Sequence, residues 1–390
     1  MQITRLWLTD FRSYPEFELD LSLGLTAIIG PNGVGKTNLL EALTLLATLK
    51  SFRGAPVDSL VRKGAERAFV RAEGIRDDRD VLIELELAKG KTRAQVNRQR
   101  LRRTRDLLGA LRVTVFAPDD LALIKEGPSL RRTFLDDVLV AIDPSADAVL
   151  TDIERILKQR NALLKQSKGR LDEAAAMTLD VWDTKLATTG EELTKRREGL
   201  VSSLVPMVGA AYAELAGGPT PVAAHYERSW TTSSLAEALV AGRDDDVRRG
   251  VTLVGPHRDE LLLLLDGLTA RTEASQGEQR TLALALRLSA HRLVTDRLGE
   301  PPLLLLDDVL SELDPDRSTA LLNTLPPGQT VITSASELPP AARADHHLRL
   351  GSDGLETSAA GSPDRAESAD PADQAEVGAP VDESPGDGGS

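Results

Sequence analysis

The chain has 390 residues, 41% hydrophobic and 27% charged, enough for a full core and two or three globular domains or subdomains. It contains no cysteine, which excludes disulfides, zinc–thiolate sites and cysteine catalysis. The net charge of −13 argues at first against nucleic acid, but residues 351–390 carry ten acids against one base, a net of −9, which leaves −4 for the first 350 residues.

No signal peptide opens the chain, because MQITRLWLTDF alternates polar and apolar residues as a strand does. No apolar run approaches the ~20 residues of a membrane helix, so the expected place is the cytoplasm, with no membrane partner. Residues 2–9 and 17–21 are predicted strands, joined through FRSYP at 11–15. Arg12 in that connection either reaches a nucleotide or is an ordinary surface arginine. Residues 25–29 form a predicted buried strand that runs into GPNGVGKT at 30–37. This stretch fits G-x-x-x-x-G-K-[ST], the phosphate-binding loop of nucleoside triphosphatases. Gly30, Gly33 and Gly35, with Pro31, Asn32 and Val34 between them, let the backbone turn its N–H groups onto a phosphate. Lys36 can reach the β- and γ-phosphates, and the Thr37 hydroxyl can hold magnesium. The helix predicted over 37–50 points its positive end at the same place. ATP and Mg2+ are the expected ligands.

KSFRG follows at 50–54, then alternating strands at 68–73, 80–88 and 92–97 that suit an antiparallel sheet. Residues 97–105, NRQRLRRTR, contain Arg98, Arg100, Arg102, Arg103 and Arg105 without an acid. They make either a phosphate contact or a solvated basic loop. A buried strand is predicted at 111–116, and Pro118 and Pro128 each start a helix, the second carrying Arg131, Arg132, Phe134 and Leu135. Residues 144–216 are predicted to be helical throughout, with Ile153, Ile156, Leu157 and Leu164 at spacings of three and four. That length suits a compact helical lobe, not a long coiled coil. GGPTP at 217–221 ends it, and a strand at 222–226 and helices to 249 follow. His257, in VGPHRDELLLLL, has no Ser or Cys nucleophile context and is read as structural or DNA-proximal.

SQGEQ at 275–279 precedes a Leu/Ala-rich helix. Ser275, Gly277 and Gln279 either offer a hydroxyl and free N–H groups to an anion or make a simple N-cap. Residues 303–306 are four apolar residues running into Asp307 and Asp308, the Walker B pattern, whose first carboxylate supports magnesium. SELD follows at 311–314, a last core strand is predicted at 330–333, and 347–350 closes the fold. The segment 353–390, rich in Gly, Ser, Pro, Ala and acids, is expected to be a disordered acidic tail.

Phosphate loop, SxGxQ, Walker B and SELD in this order resemble the ABC-type ATPases that include the SMC proteins. Within these the chain resembles the bacterial RecF family. The resemblance rests on FRSY at 11–14, GPNGVGKTNLLEA at 30–42, KSFR at 50–53, FAPDDL and KEGPSLRRTFLD within 116–136, GPHRDEL at 255–261, SQGEQR at 275–280 and LLLLDDVLSELD at 303–314. It implies an α/β fold, an ABC-type head with a mixed sheet around the phosphate loop and an antiparallel sheet, plus a helical lobe and no long coiled coil. The implied organisation is 1–116 and 251–352 as the two parts of the head, 117–250 as a mainly helical lid, and 353–390 as the tail.

The resemblance also implies function. Such proteins bind ATP, form an ATP-dependent homodimer and bind DNA, both duplex and single-strand/double-strand gap junctions. They act with RecO and RecR, and indirectly RecA, in recombination, replication and the SOS response to DNA damage. Carried over by motif, Gly30 to Thr37 hold the triphosphate, Lys36 and Asp308 serve catalysis, and Thr37 and Asp307 serve magnesium. Ser275, Gly277 and Gln279 contact ATP across the dimer. Asp308 stands where most ABC ATPases have glutamate, and VITSAS at 331–336 lacks the histidine many of them carry. Residues 118–120 occupy the glutamine-loop region without a glutamine. The first two departures suggest slow hydrolysis, a switch and not a motor, and the expected activity is a weak DNA-stimulated ATPase. A transporter subunit is disfavoured by the 271 residues between Lys36 and Asp307. A GTPase is disfavoured by the lack of an NKxD-like motif.

Overall fold

The strand Leu303–Asp307 shows how the layers are built. In this computed structural model, which describes residues 1–351 and 354–358, its side chains alternate between two cores. Leu303 and Leu305 join Ile28, Val331 and Leu348 on one face, while Leu304 and Leu306 join Ala27, Ile332 and Phe116 on the other. A strand covered on both faces needs this continuous apolar run. The sheet order is Gly354–Ser358, His346–Gly351, Leu25–Ile29, Thr330–Ser334, Leu303–Asp307, Val113–Phe116. All neighbours are parallel except the first pair.

The second six-stranded sheet is antiparallel, in the order Tyr14–Asp20, Gln2–Phe11, Arg67–Arg76, Arg79–Ala88, Lys91–Val96, Gln99–Arg100. Leu6, Leu8, Val70, Leu85 and Leu87 face inward from it. Helix Lys36–Thr48 belongs to the same core, and ten of its 13 residues are buried. Gln329 stitches the N-terminal strand to the parallel sheet. Its carbonyl accepts from the Ile3 amide at 2.8 Å, and its amide donates to the carbonyls of Ile3 and Ser22.

The region predicted as helical throughout 144–216 is two helices, Ala146–Gln166 and Glu173–Ala216. Between them Lys168 and Gly169 take positive φ, and Asp172 caps the second helix by accepting from Ala175 N at 2.7 Å. The pair is clamped by the fully buried Arg160, which donates to Asp183 and Asp246, each at 2.7 Å, and to Thr252 at 2.8 Å. Part of Glu173–Ala216 is long and apolar enough to cross a membrane, contrary to the sequence reading. Here Leu200, Val201, Leu204, Val208, Ala211 and Leu215 bury that stripe in the same core as helix Gln276–Leu298. A three-stranded sheet, Leu268–Thr269, Glu260–Leu265, Val222–Glu227, completes this side.

The sheet runs past 350, where the sequence ended it. Gly354–Ser358 pairs with His346–Gly351, so the first residues assigned to the tail belong to the sheet edge. The expected disorder of 359–390 lies outside the described residues.

His291, 1% exposed, sits on helix Gln276–Leu298 with Nδ1 at 3.1 Å from Thr114 Oγ1 and Nε2 without a protein partner. Burial, helped by Arg292, pushes its pKa down to about 4. The folded value lies below the unfolded one, so the unfolded chain binds the extra proton. The stabilisation is complete above about pH 6.5 and is lost as pH falls toward 4, about 2 kcal/mol at pH 5. Replacing His291 with Leu should narrow the gap between the melting temperatures at pH 7 and pH 5. Thermal melts with an unchanged gap would count against this role.

Candidate nucleotide site

Strand Leu25–Ile29 delivers the chain to Gly30, whose amide donates to Ser334 O at 3.1 Å. A Cβ on Gly30 would stand 2.2 Å from the Leu350 carbonyl. Gly33 and Gly35 take φ of 87° and 112°, which favours glycine. The Tyr14 hydroxyl fills the place of a Gly35 side chain, 2.5 Å from an ideal Cβ. Sheet and tyrosine thus fix the loop, while Pro31, Asn32 and Gly33 remain exposed. Lys36 Nζ folds back to donate to the carbonyls of Gly30 at 2.6 Å and Pro31 at 2.9 Å. Burial lowers its pKa, and the charges of Asp308 and Asp307 work against that.

The Walker B strand is not the neighbour of the phosphate-loop strand. Thr330–Ser334 lies between them and contributes Thr333. Asp307 Oδ1 accepts from Thr37 Oγ1 at 3.0 Å and from Thr333 Oγ1 at 2.8 Å. Asp307 is 5% exposed, and burial raises its pKa against the pull of these two hydroxyls. Asp308, the next residue, takes a left-handed backbone, φ 49°. Its amide donates to Thr333 O and to Thr333 Oγ1, both at 3.1 Å, and its buried Oδ1 has no protein partner.

This donor set fits magnesium. A hydroxyl and a carboxylate are hard oxygen ligands of the kind magnesium takes alongside phosphate oxygens. Because Thr37 gives its proton to Asp307, its lone pairs stay free for a metal. The unpartnered Oδ1 of Asp308 suits a hydrogen bond from water.

The structure changes the reading of the first hairpin. Arg12 is neither directed to a ligand nor free on the surface. Its Nε and Nη2 donate to both oxygens of Glu41, each at 2.7 Å. Glu41 is fully buried and also accepts from Ser51. FRSY, the phosphate-loop helix and KSFR therefore meet at one carboxylate. Arg53, given no role from sequence, lies close enough to Asp307 to lower its pKa. The only available signal was its place directly after that helix.

Ser275 is the N-cap of helix Gln276–Leu298. Its Oγ accepts from Glu278 N at 3.3 Å, and Glu278 Oε2 accepts from Ser275 N at 2.8 Å. Ser275 and Gln276 are exposed. Gln279, grouped with the ATP contacts from sequence, is instead turned inward. It is 4% exposed and donates to the carbonyls of Ala270 at 2.9 Å and Arg271 at 3.1 Å, so it holds the preceding turn. Gly277 faces Arg317, which pairs with Asp314 at 2.7 Å. Among the described residues no hydrogen bond joins 275–279 to the phosphate loop, Asp307 or Asp308.

In the glutamine-loop region Asp120 accepts from Arg287 at 2.7 Å. His257 is a packed group: Nε2 meets Thr252 O at 3.1 Å, and burial holds the pKa near about 4. Its neighbours in GPHRDEL form a polar hub. Glu260 receives both prongs of Arg131 at 2.8 and 2.9 Å, and Asp259 accepts from Tyr226 at 2.6 Å.

The RecF/RecN/SMC N-terminal domain model matches residues 2–338. The chain is 47% identical over 350 residues to the DNA replication and repair protein RecF of Streptomyces avermitilis, covering 86% of this chain and 94% of that one. It is 46% identical over 356 residues to RecF of Frankia alni, covering 86% and 93%. A structure of the recombination mediator protein RecF with ATP, in the RecFOR pathway, superposes with a TM-score of 0.84 at 31% identity, covering 92% of this chain and 98% of that one. The Smc head domain of Pyrococcus furiosus shares the fold, with a TM-score of 0.52 at 17% identity over 92% and 96% of the two chains.

Replacing Lys36 with Met should remove the cation expected to meet the phosphates without disturbing the core. ATP affinity or turnover is expected to fall by about tenfold or more, with a melting temperature close to wild type. Fluorescent-nucleotide titration checks this, and unchanged binding and turnover in a folded variant would reject the site.

Proposed function

The chain belongs to the RecF family of RecF/RecN/SMC proteins, and from that premise we propose that it is an ATP-switched DNA-binding protein of recombinational repair and replication. One observation carries the reading. Thr37 and Asp307, 270 residues apart, share a hydrogen bond, while Ser275 stands at an exposed helix start with no hydrogen bond to either. A site so divided is completed by the helix start of a second copy. The phosphate-loop N–H groups and Lys36 would hold the triphosphate, and Thr37 and Asp307 the magnesium. Magnesium would neutralise phosphate charge. Asp308 Oδ1 would accept a hydrogen bond from the attacking water. An aspartate reaches one methylene less far than glutamate, which favours a slow hydrolysis that would separate the heads and release DNA.

The two relatives are named for DNA replication and repair, and the RecF–ATP structure for the RecFOR pathway. We extend these roles to this chain as a cytoplasmic protein acting with RecO and RecR at single-strand/double-strand gap junctions. RecA loading and the SOS response are the downstream expectations. The parts 1–116 and 251–352 would serve as the head and 117–250 as the lid.

Mixing two defective variants tests the division of the site. Lys36→Met and Ser275→Arg should each fail to dimerise with ATP. In an equimolar mixture, one site of each mixed dimer carries both defects and the other carries none. Dimer fraction against ATP concentration should therefore rise on mixing. No gain, with both variants folded, would place Ser275 at its own chain's nucleotide and reject the shared site.

DNA contact is assigned to the basic stretch after Lys91–Val96. Arg98, Arg100, Arg102 and Arg103 are exposed, and among the described residues neither they nor Arg105 pair with a carboxylate. Their position on a sheet edge suits phosphate-backbone recognition of duplex. Replacing Arg98, Arg100 and Arg102 with Ala should weaken duplex binding equally across sequences. The slope of log K against log salt should fall by about one unit per lost contact. An unchanged slope would move the DNA surface elsewhere.

A further inference from the structure

Thr333 is the fourth residue of the strand Thr330–Ser334, whose five residues are all buried, and it is 1% exposed. A hydroxyl there has to be satisfied inside the protein. Its bonds have only one self-consistent direction. The Asp308 amide can only donate, so at 3.1 Å Thr333 Oγ1 is its acceptor. Thr333's single proton must then go outward. Asp307 Oδ1 at 2.8 Å is the nearer acceptor, and Leu306 O lies at 3.5 Å. One hydroxyl therefore ties the Asp307 carboxylate to the peptide of Asp308. The Thr333 carbonyl takes the same amide at 3.1 Å, which holds Asp308 in its left-handed turn.

Two consequences follow. With Thr37 and Thr333 both donating to Oδ1, the rotation of Asp307 is fixed, and neither of these hydroxyls occupies Oδ2. With its amide held twice, Asp308 keeps the left-handed backbone that places its buried, unpartnered Oδ1. We propose that Thr333 is a positioning residue for hydrolysis, orienting the metal-side carboxylate and the water-side residue through one hydroxyl. This rests on the nucleotide-site reading above.

The test uses the full chain with Thr333→Val, which keeps the branched shape and deletes the hydroxyl, and Thr333→Ser, which keeps the hydroxyl. ATP binding is followed by fluorescence while Mg2+ is titrated, and turnover is followed in single-turnover mode. For Thr333→Val the Mg2+ midpoint should rise about tenfold and the rate fall about 10- to 100-fold, the range for a lost partner of a metal-binding carboxylate. ATP binding in EDTA should stay within about twofold, since no phosphate-loop group is touched. Thr333→Ser should restore midpoint and rate to within about threefold, because it makes the same bonds. A merely structural threonine would lower the melting temperature and leave the midpoint alone. A wild-type midpoint in Thr333→Val, or a Thr333→Ser variant as impaired as the valine one, overturns the proposal. If the wild-type chain itself lacks Mg2+-dependent ATP binding, the nucleotide-site reading falls and takes this inference with it.

Discussion

Helix Lys36–Thr48 shares its core with both large sheets, and three of its polar groups have to be satisfied inside the protein. A charge left alone there costs several kcal/mol, so each buried ion demands a partner of fixed geometry. Lys36 meets that demand with the loop carbonyls of Gly30 and Pro31, and under the proposed function it would turn to phosphate oxygens. Glu41 meets it with Arg12 and Ser51, which leave it no such freedom. The contrast divides the labour within one helix. Its first turn keeps labile bonds, and its second is bolted to the hairpin before it and the loop after it. The phosphate loop is shaped by that bolt and by Tyr14 against Gly35.

A second set of buried charges ties the helical region to the rest. Arg131 reaches Glu260, and Arg197, 3% exposed, takes both oxygens of Asp136 at 2.8 Å while donating to Pro256 O at 2.7 Å. Burial works against the Arg197 charge, but the Asp136 carboxylate more than offsets it, and its pKa is raised. Buried pairs add little net stability over well-packed apolar groups, yet they tolerate few arrangements. Here they fix the angle at which Pro128–Ile142 and Glu173–Ala216 stand on Glu260–Leu265. The same core holds helix Gln276–Leu298, so the exposed Ser275 end is presented at a set angle to whatever approaches it.

Local patterns carried much of this in the sequence. The phosphate loop, the Walker B strand and the alternating strands of the antiparallel sheet each declare themselves within a dozen residues, because period and turn chemistry are local properties. The break at 167–172 was missed because Ser167, Lys168 and Arg170 are unremarkable on a helix surface, and only Gly169 and the capping Asp172 mark it. Arg12 and Glu41 could not be paired by spacing alone, since their contact depends on how a hairpin packs on a helix 29 residues later. Gln279 looked like part of an exposed motif because it stands in one short run with Ser275 and Gln276, which are exposed. One turn into the helix its amide is instead taken up by the Ala270 and Arg271 carbonyls, a contact that spacing alone does not show. His257 carried no Ser or Cys nucleophile context in the sequence, and its packing against the Thr252 carbonyl depends on the fold.

Asp307 and Asp308 are neighbours in sequence with different environments, and the strand end accounts for the difference. As the last residue of Leu303–Asp307, Asp307 keeps extended backbone and faces the buried hydroxyls of Thr37 and Thr333. One residue later the left-handed turn swings Asp308 out of the alternation. Aspartate tolerates that conformation better than most residues at a cost of roughly 1–2 kcal/mol. A glutamate would extend further but with one more rotatable bond to order. The chain therefore trades reach for a carboxylate whose direction is set by its backbone, and the backbone in turn is held by the strand between the two motifs. The direction of the Asp308 carboxylate is thus tied to the same Thr333 that holds Asp307.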